Sequence, residues 1–139
     1  MKINYLNEVA ARISLTTELR KIQKVFTELK DYQVDLILCD NKKIQKINKI
    51  YRKKDKATDV LSYSLKETQF NPEKIAGEVI ISYPYARKQA EELGVSIKSR
   101  LVELIIHGLV HILGFDHEIS KVERLKMEKK EEYYLNKLS

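Results

Sequence analysis

Residues 107–117 read His107-Gly108-Leu109-Val110-His111-Ile112-Leu113-Gly114-Phe115-Asp116-His117 and contain all 3 histidines of the chain. The residues before and between them have a helical pattern: Leu101, Leu104, Ile105, Leu109 and Ile112 recur on one face. Ser96 supplies an N-cap, and Gly114 ends the helix because glycine accepts the left-handed conformation found at helix C-termini. Spacing of four stacks His107 and His111 on one side, where both imidazoles can share an ion. A sharp turn at Gly114 can swing His117 back toward the pair. Three neutral nitrogen ligands leave a tetrahedral zinc one open position for water, the mark of a reactive rather than a closed structural site. The segment therefore predicts a zincin-like metal-binding helix, with one zinc ion per chain held by His107, His111 and His117. Three imidazoles also suit nickel, cobalt or copper. Asp116 is placed either to orient an imidazole from behind or to stand as a solvated loop carboxylate.

The elements around this helix are short and mixed. Residues 1–6 alternate weakly, as an edge strand does, and Thr16 or Thr17 can cap a helix reaching about Lys30, with Leu19, Ile22, Phe26 and Leu29 on its buried face. Val34 to Cys39 is a short apolar run that reads as a buried strand. Asp40 or Asn41 caps the next helix, in which Ile44, Ile47 and Tyr51 repeat at helical spacing and lysines fill the other face. A polar loop from Arg52 to Asp59 leads into a strand from Val60 to Leu65, a turn over residues 68–74 around Asn71-Pro72, and a strand from Gly77 to Ser82. Pro84 fits the first turn of a helix ending at Gly94. A last helix runs from about Ser120 to Leu138, with Met127, Leu135 and Leu138 as core residues and no assigned chemistry. The order β-α-β-α-β-β-α-α-α, with one hairpin, predicts an α+β single domain over residues 1–139, with about four strands in a mixed sheet and about five helices.

Charge is concentrated in one place. Lys+Arg number 26 and Asp+Glu 20, a formal net charge of +6. Between Asp40 and Lys56 lie seven lysines and one arginine against two aspartates, 8 − 2 = +6, so one short stretch carries a charge equal to the net charge of the whole chain. Such a patch attracts phosphate backbones and responds to salt; the alternative is a solvated helix face. No apolar run approaches the roughly 18–20 residues of a bilayer span. The residues from Met1 lack the long apolar stretch of a signal peptide, and the lone Cys39 has no partner for an internal disulfide. A cytoplasmic location and no membrane are expected, with Cys39 a buried structural thiol.

The spacing H-x3-H-x2-G-x2-H is also that of metzincin peptidases, with one departure. Those enzymes carry a glutamate after the first histidine as general base, where this chain has Gly108. A peptidase mechanism would need its base from elsewhere.

Three motifs over about half of the chain carry a more specific likeness. His107 to His117 resembles H-G-x-x-H-x-x-G-[YF]-D-H. Asn48 through Ser62, Asn-Lys-Ile-Tyr-Arg-Lys-Lys-Asp-Lys-Ala-Thr-Asp-Val-Leu-Ser, is similar to N-x-x-[YF]-R-x-x-D-x-x-T-D-V-L-S. Gly77-Glu78-Val79-Ile80-Ile81-Ser82 looks like G-[DE]-[IV]-x-[IL]-[SC]. Together they resemble the YbeY-type endoribonucleases, or rRNA maturation factors. The resemblance implies a mixed sheet with helices around a three-histidine zinc. It also implies cleavage of single-stranded RNA, with roles in rRNA processing and ribosome quality control and with ribosomal partners. The family's invariant arginine falls on Arg52, and its ligands on His107, His111 and His117. After Ser62 the family usually continues Phe-Pro, where this chain has Tyr63-Ser64, and the N-terminal quarter matches only in general pattern.

Arg52 is the candidate catalytic residue, since its planar fork can clamp two phosphate oxygens; the alternative is a structural salt bridge with Asp55 or Asp59. Lys49, Lys53 and Lys54 are candidate substrate-binding residues. Thr58, Asp59 and Ser62 can hold the loop and orient a ligand, with Asp59, like Asp116, set to support the site from behind. Glu78 is a further carboxylate or a strand-edge anchor. Two other functions remain open at this point: a zinc metallopeptidase-like hydrolase, and a non-catalytic ribosome-assembly factor with structural zinc.

Overall fold

The computed structural model describes residues 1–66, 70–116, 118 and 120–139. The elements run β1 (Lys2–Asn7), α1 (Thr16–Val25), a single 3₁₀ turn (Thr27–Leu29), β2 (Gln33–Cys39), α2 (Asn41–Arg52), β3 (Val60–Ser64), β4 (Ile75–Ser82), α3 (Tyr83–Leu93), α4 (Ile97–Ile112) and α5 (Lys121–Lys137). The four strands form one mixed sheet in the order β1-β2-β4-β3. β2 pairs in parallel with β1 and β4, and β3 returns antiparallel to β4 as the hairpin expected from sequence. β1 and β3 are the sheet's edges. The chain is α+β, as expected. The predicted turn over 68–74 falls partly outside the described residues; within the part described, Asn71 accepts from the Ile75 amide at 3.0 Å and donates to the Ile75 carbonyl at 2.8 Å.

The two faces of the sheet follow from strand alternation. Val34, Leu36 and Leu38 of β2 and Val79 and Ile81 of β4 join Leu19, Ile22, Leu101, Leu104, Ile105 and Leu109 in the main core, with Met127 and Tyr134 of α5. The other face is smaller: Cys39, Leu61 and Ile80 pack with Ile44 of α2. Phe26 stacks on Tyr134, ring centroids 3.8 Å apart, and the Tyr134 hydroxyl donates to Glu28, which docks α5 against the end of α1. Cys39 is buried as expected, and burial pushes its thiol up to about 11, leaving little reactive thiolate near neutral pH. Among the described residues no helix is long and apolar enough to cross a membrane.

Helix starts follow the sequence well. Asp40 accepts from the Lys43 amide at 2.8 Å, Ser82 from Tyr85 at 3.4 Å, Ser96 from Ser99 at 3.0 Å and Ser120 from Glu123 at 3.1 Å. Three details differ. α1 follows Leu15 with no side-chain cap, so neither Thr16 nor Thr17 caps it; Leu15 is buried, and packing sets this end. The helix stops at Val25, because Phe26 leaves helical conformation (φ −85°, ψ 68°) where Val25 and Thr27, both β-branched, lower helix propensity. Phe26 and Leu29 are nonetheless buried, carried into the core by the 3₁₀ turn. α2 runs through Arg52, and Tyr51 is 69% exposed rather than packed with Ile44.

Two glycines set how closely the layers meet. A Cβ at Gly77 would lie 2.1 Å from the Tyr63 carbonyl oxygen and 2.8 Å from Ile112 Cδ1. A Cβ at Gly108 would lie 2.8 and 2.9 Å from the two methyls of Val79. The position where a metzincin carries its glutamate thus faces β4 so closely that any side chain there would have to displace Val79. Gly108→Ala is expected to lower stability by about 1–3 kcal/mol through overpacking. The check is urea unfolding followed by circular dichroism, with a lower midpoint at an unchanged slope; an unshifted midpoint would refute the close approach.

Candidate active site

α4 packs across β3 and β4, and its polar side emerges along the outer edge of β3. A cleft of ≈ 620 Å³ opens there. Its walls come from the end of α2 and the loop after it (Asn48, Arg52, Lys54, Lys56, Thr58, Asp59), from β3 (Val60 to Tyr63), from α4 (Arg100, Glu103, His107, His111), from Asp116 and Glu118, and from Glu131 of α5. Elements from both faces of the sheet meet at this edge, which is how residues far apart in sequence share one space.

His107 and His111 stand on one side of α4, as the spacing predicts, and each is held at Nδ1 by a different element. His107 Nδ1 lies 2.7 Å from Glu131 Oε1. His111 Nδ1 lies 3.0 Å from Ser62 Oγ. A carboxylate at Nδ1 fixes the tautomer with its proton there, which makes Nε2 the nitrogen that can serve as a ligand. Metal-binding histidines are supported in this way, so this pair is chemically suited to a divalent transition ion. Among the described residues no group of three such side chains is placed to hold an ion. His117, the third ligand expected from sequence, lies outside the described residues.

Arg52 closes α2 and reaches into the same cleft. Its partner is neither Asp55 nor Asp59: Arg52 Nη2 lies 2.5 Å from Glu118 Oε1. Asp55 instead accepts from Gln45 at 3.0 Å and lies 3.8 Å from Lys49. Asp59 is the anchor of the loop. Its Oδ1 accepts from the Val60 amide at 2.7 Å, and its Oδ2 accepts from Gln89 at 3.2 Å and from Arg100 at 3.3 Å. Thr58 donates to Asp59 Oδ1 at 3.3 Å. Asp116 Oδ1 accepts from the Glu118 amide at 2.9 Å, which holds the turn carrying Arg52's partner.

The predicted lysines separate. Lys54 lines the cleft, whereas Lys49 and Lys53 are exposed outside its lining. Lys53 takes the left-handed conformation (φ 58°) that ends α2, a place usually filled by glycine. Its amide donates to Lys49 O at 3.1 Å and the Lys54 amide donates to Asn48 O at 3.2 Å, which turns the chain from the helix into the cleft wall. Glu78 is half-buried, opposite Tyr63 in the hairpin register.

Glu131 corrects the view of the last helix as chemically silent. A signal for it exists in the sequence: Glu131 lies four residues after Met127 and three before Tyr134, both buried, so an acid sits on the packed stripe of α5. Arg100 and Glu103 are further lining residues that no motif in the sequence marks. Glu103 is one helical turn ahead of His107 and lies 3.3 Å from Arg100.

Comparison with known proteins gives the arrangement a family. The model of the family described as "Endoribonuclease YbeY" matches residues 3–139. An endoribonuclease YbeY from Aquifex aeolicus is 45% identical over 111 residues, 80% of this chain and 73% of the relative. One from Desulforamulus reducens is 36% identical over 144 residues, covering 97% of this chain and 94% of the relative. A solution structure from Thermotoga maritima superposes with a TM-score of 0.69 at 28% identity, over 98% of this chain and 88% of the other. The chain therefore belongs to the endoribonuclease YbeY family, whose name is that of a nuclease acting on RNA.

Proposed function

We propose that this chain is a zinc-dependent, single-strand-specific endoribonuclease that acts in the cytoplasm in rRNA maturation and ribosome quality control. The observation that carries the reading is the meeting of Arg52 with the His107–His111 pair in one cleft at the edge of β3. The ribosomal part rests on the family likeness. The preference for single strands rests on the same likeness.

His107 and His111, with His117, would hold the ion, and a zinc ion bound there supplies Lewis acidity toward water or a phosphate oxygen. Arg52 receives the phosphate. Its fork makes two parallel charge-assisted bonds to a phosphodiester, where Glu118 now takes one. Lys54 adds positive charge on the same wall, and Arg100 keeps the Asp59 loop in place through its bond to Asp59. Glu131 and Ser62 keep these two imidazoles from rotating, so both stay oriented while negative charge builds on the phosphoryl oxygens.

Three outcomes are expected. Arg52→Ala lowers cleavage of a defined single-stranded RNA by about 10²-fold or more, and Arg52→Lys restores only part of it, because an ammonium cannot form the bidentate pair. Cleavage assays settle this, and an unimpaired Arg52→Ala protein would remove the arginine from the mechanism. Elemental analysis of purified His107→Ala and His111→Ala proteins should find zinc lost from each; full zinc in both single variants would refute the ligand assignment. Glu131→Ala is expected to weaken zinc by about 10–100-fold in chelator competition. Glu131→Gln, which still accepts from Nδ1, should lose less. Equal affinity in wild type and Glu131→Ala would show that the carboxylate does not support the ligand.

A further inference from the structure

We propose that Tyr51 is a stacking platform for one nucleobase of the RNA strand whose phosphate Arg52 receives. The proposal deepens the ribonuclease reading and rests on it.

Tyr51 belongs by spacing to the apolar stripe of α2, yet that stripe stops short of it. Ile44 is fully buried and Ile47 half-buried, whereas Tyr51 is 69% exposed. An exposed aromatic ring at the end of a helix dense in lysine has two explanations, a tolerated surface residue or a ring kept for a flat ligand. Its neighbours favour the second. Tyr51 directly precedes Arg52, which reaches into the cleft. Its ring also packs against Tyr63, centroids 5.3 Å apart and planes tilted by 51°. Tyr63 lines the cleft. Tilted against Tyr63, which lines the cleft, the Tyr51 ring offers an exposed shelf beside it, next in sequence to Arg52.

The charge around this shelf selects the occupant. Lys42, Lys43, Lys46, Lys49, Lys53 and Lys54 are all exposed along α2 and its end. Among the described residues, Lys43 pairs with Glu8, and Lys49 reaches Asp55 only at 3.8 Å. Most of these lysines lie across the helix from the Tyr51 stripe, but Lys54, three residues after the ring, lines the cleft with Arg52. An aromatic ring bordered by these two cations suits a polyanion that also carries π-faces, which is the chemistry of single-stranded nucleic acid. A paired duplex keeps its bases stacked on one another and offers the ring nothing to cover. Tyr51 would thus add both affinity and preference for unpaired strands, with little dependence on base identity.

The test is fluorescence anisotropy of a labelled 2′-O-methyl 12-nucleotide strand, confirmed intact on a gel, with the full-length chain and its Tyr51 variants. Circular dichroism melting checks that the variants fold, as an exposed position should allow. Tyr51→Phe and Tyr51→Trp are expected to bind like wild type, and Tyr51→Leu about ten-fold more weakly. A duplex of the same sequence should bind wild type and Tyr51→Leu alike. Replacing single bases in turn with abasic residues should reveal one position at which the difference between wild type and Tyr51→Leu disappears. Equal binding of the single strand by wild type and Tyr51→Leu overturns the platform, and leaves the exposed ring to a protein partner. A loss in Tyr51→Leu that persists at every abasic position also overturns it. Failure of wild type itself to bind or cleave single-stranded RNA overturns the ribonuclease reading, and the platform with it.

Discussion

The close approach of α4 to the β3–β4 hairpin is the constraint on which the site depends. Two missing side chains make it possible. At Gly77 the neighbouring strand's Tyr63 carbonyl and the Ile112 side chain of α4 occupy the space a Cβ would take, and at Gly108 the methyls of Val79 do the same. With the helix seated this deeply, Ser62 on β3 reaches His111 directly at 3.0 Å. A helix lifted by one methyl group would lengthen that bond beyond use. The same constraint excludes a glutamate at position 108, so the chemistry of a metzincin and the packing of this fold are incompatible at one residue. Peptide hydrolysis by that route is closed by packing as much as by the absent carboxylate.

Much of this was legible in the sequence because it rests on local rules. Asp40 and Ser96 marked two helix starts as caps and Pro84 a third as a first-turn residue, short apolar runs marked the inner strands, and a spacing of four placed two histidines together on α4. The parts that were not legible depend on tertiary partners. Nothing near Arg52 in sequence indicates Glu118, because the two meet only when α2 and the segment after α4 converge at the β3 edge. Glu131 could be read as an acid on the Met127 stripe, but its contact with His107 depends on how α5 docks, with Tyr134 on Phe26. Tyr51 fits a buried stripe by periodicity, but the sheet ends at β3 and leaves the ring exposed beside Tyr63. Helical spacing states which residues share a face, and the extent of the neighbouring layer decides how many of them are buried.

The Arg52–Glu118 pair has an energetic meaning for the proposed chemistry. Arg52's side chain is 33% exposed and that of Glu118 53%, so water screens their attraction. Pairs of this kind contribute about 0–1 kcal/mol. A phosphodiester can therefore displace the carboxylate at small cost, gaining a bidentate contact where the pair has one bond. Meanwhile Glu118 keeps the guanidinium extended into the cleft, so its long side chain is already oriented when substrate arrives.

Placing the site at a sheet edge lets it draw on both faces at once. Along β3 successive side chains point to opposite sides. Ser62, opposite Val79, turns to α4 and its histidines, while Leu61 and Tyr63, opposite Ile80 and Glu78, turn to α2 and its basic end. The partner of His111 and the seat of Tyr51 are thus adjacent residues of one strand. A one-residue slip of the hairpin would exchange them, presenting a phenol to His111 and a serine to Tyr51. Gly77 opposes that slip, since a neighbouring residue with a side chain in its place could not accept the Tyr63 carbonyl at such short range. Hairpin register, rather than any single functional residue, joins the two halves of the proposed mechanism.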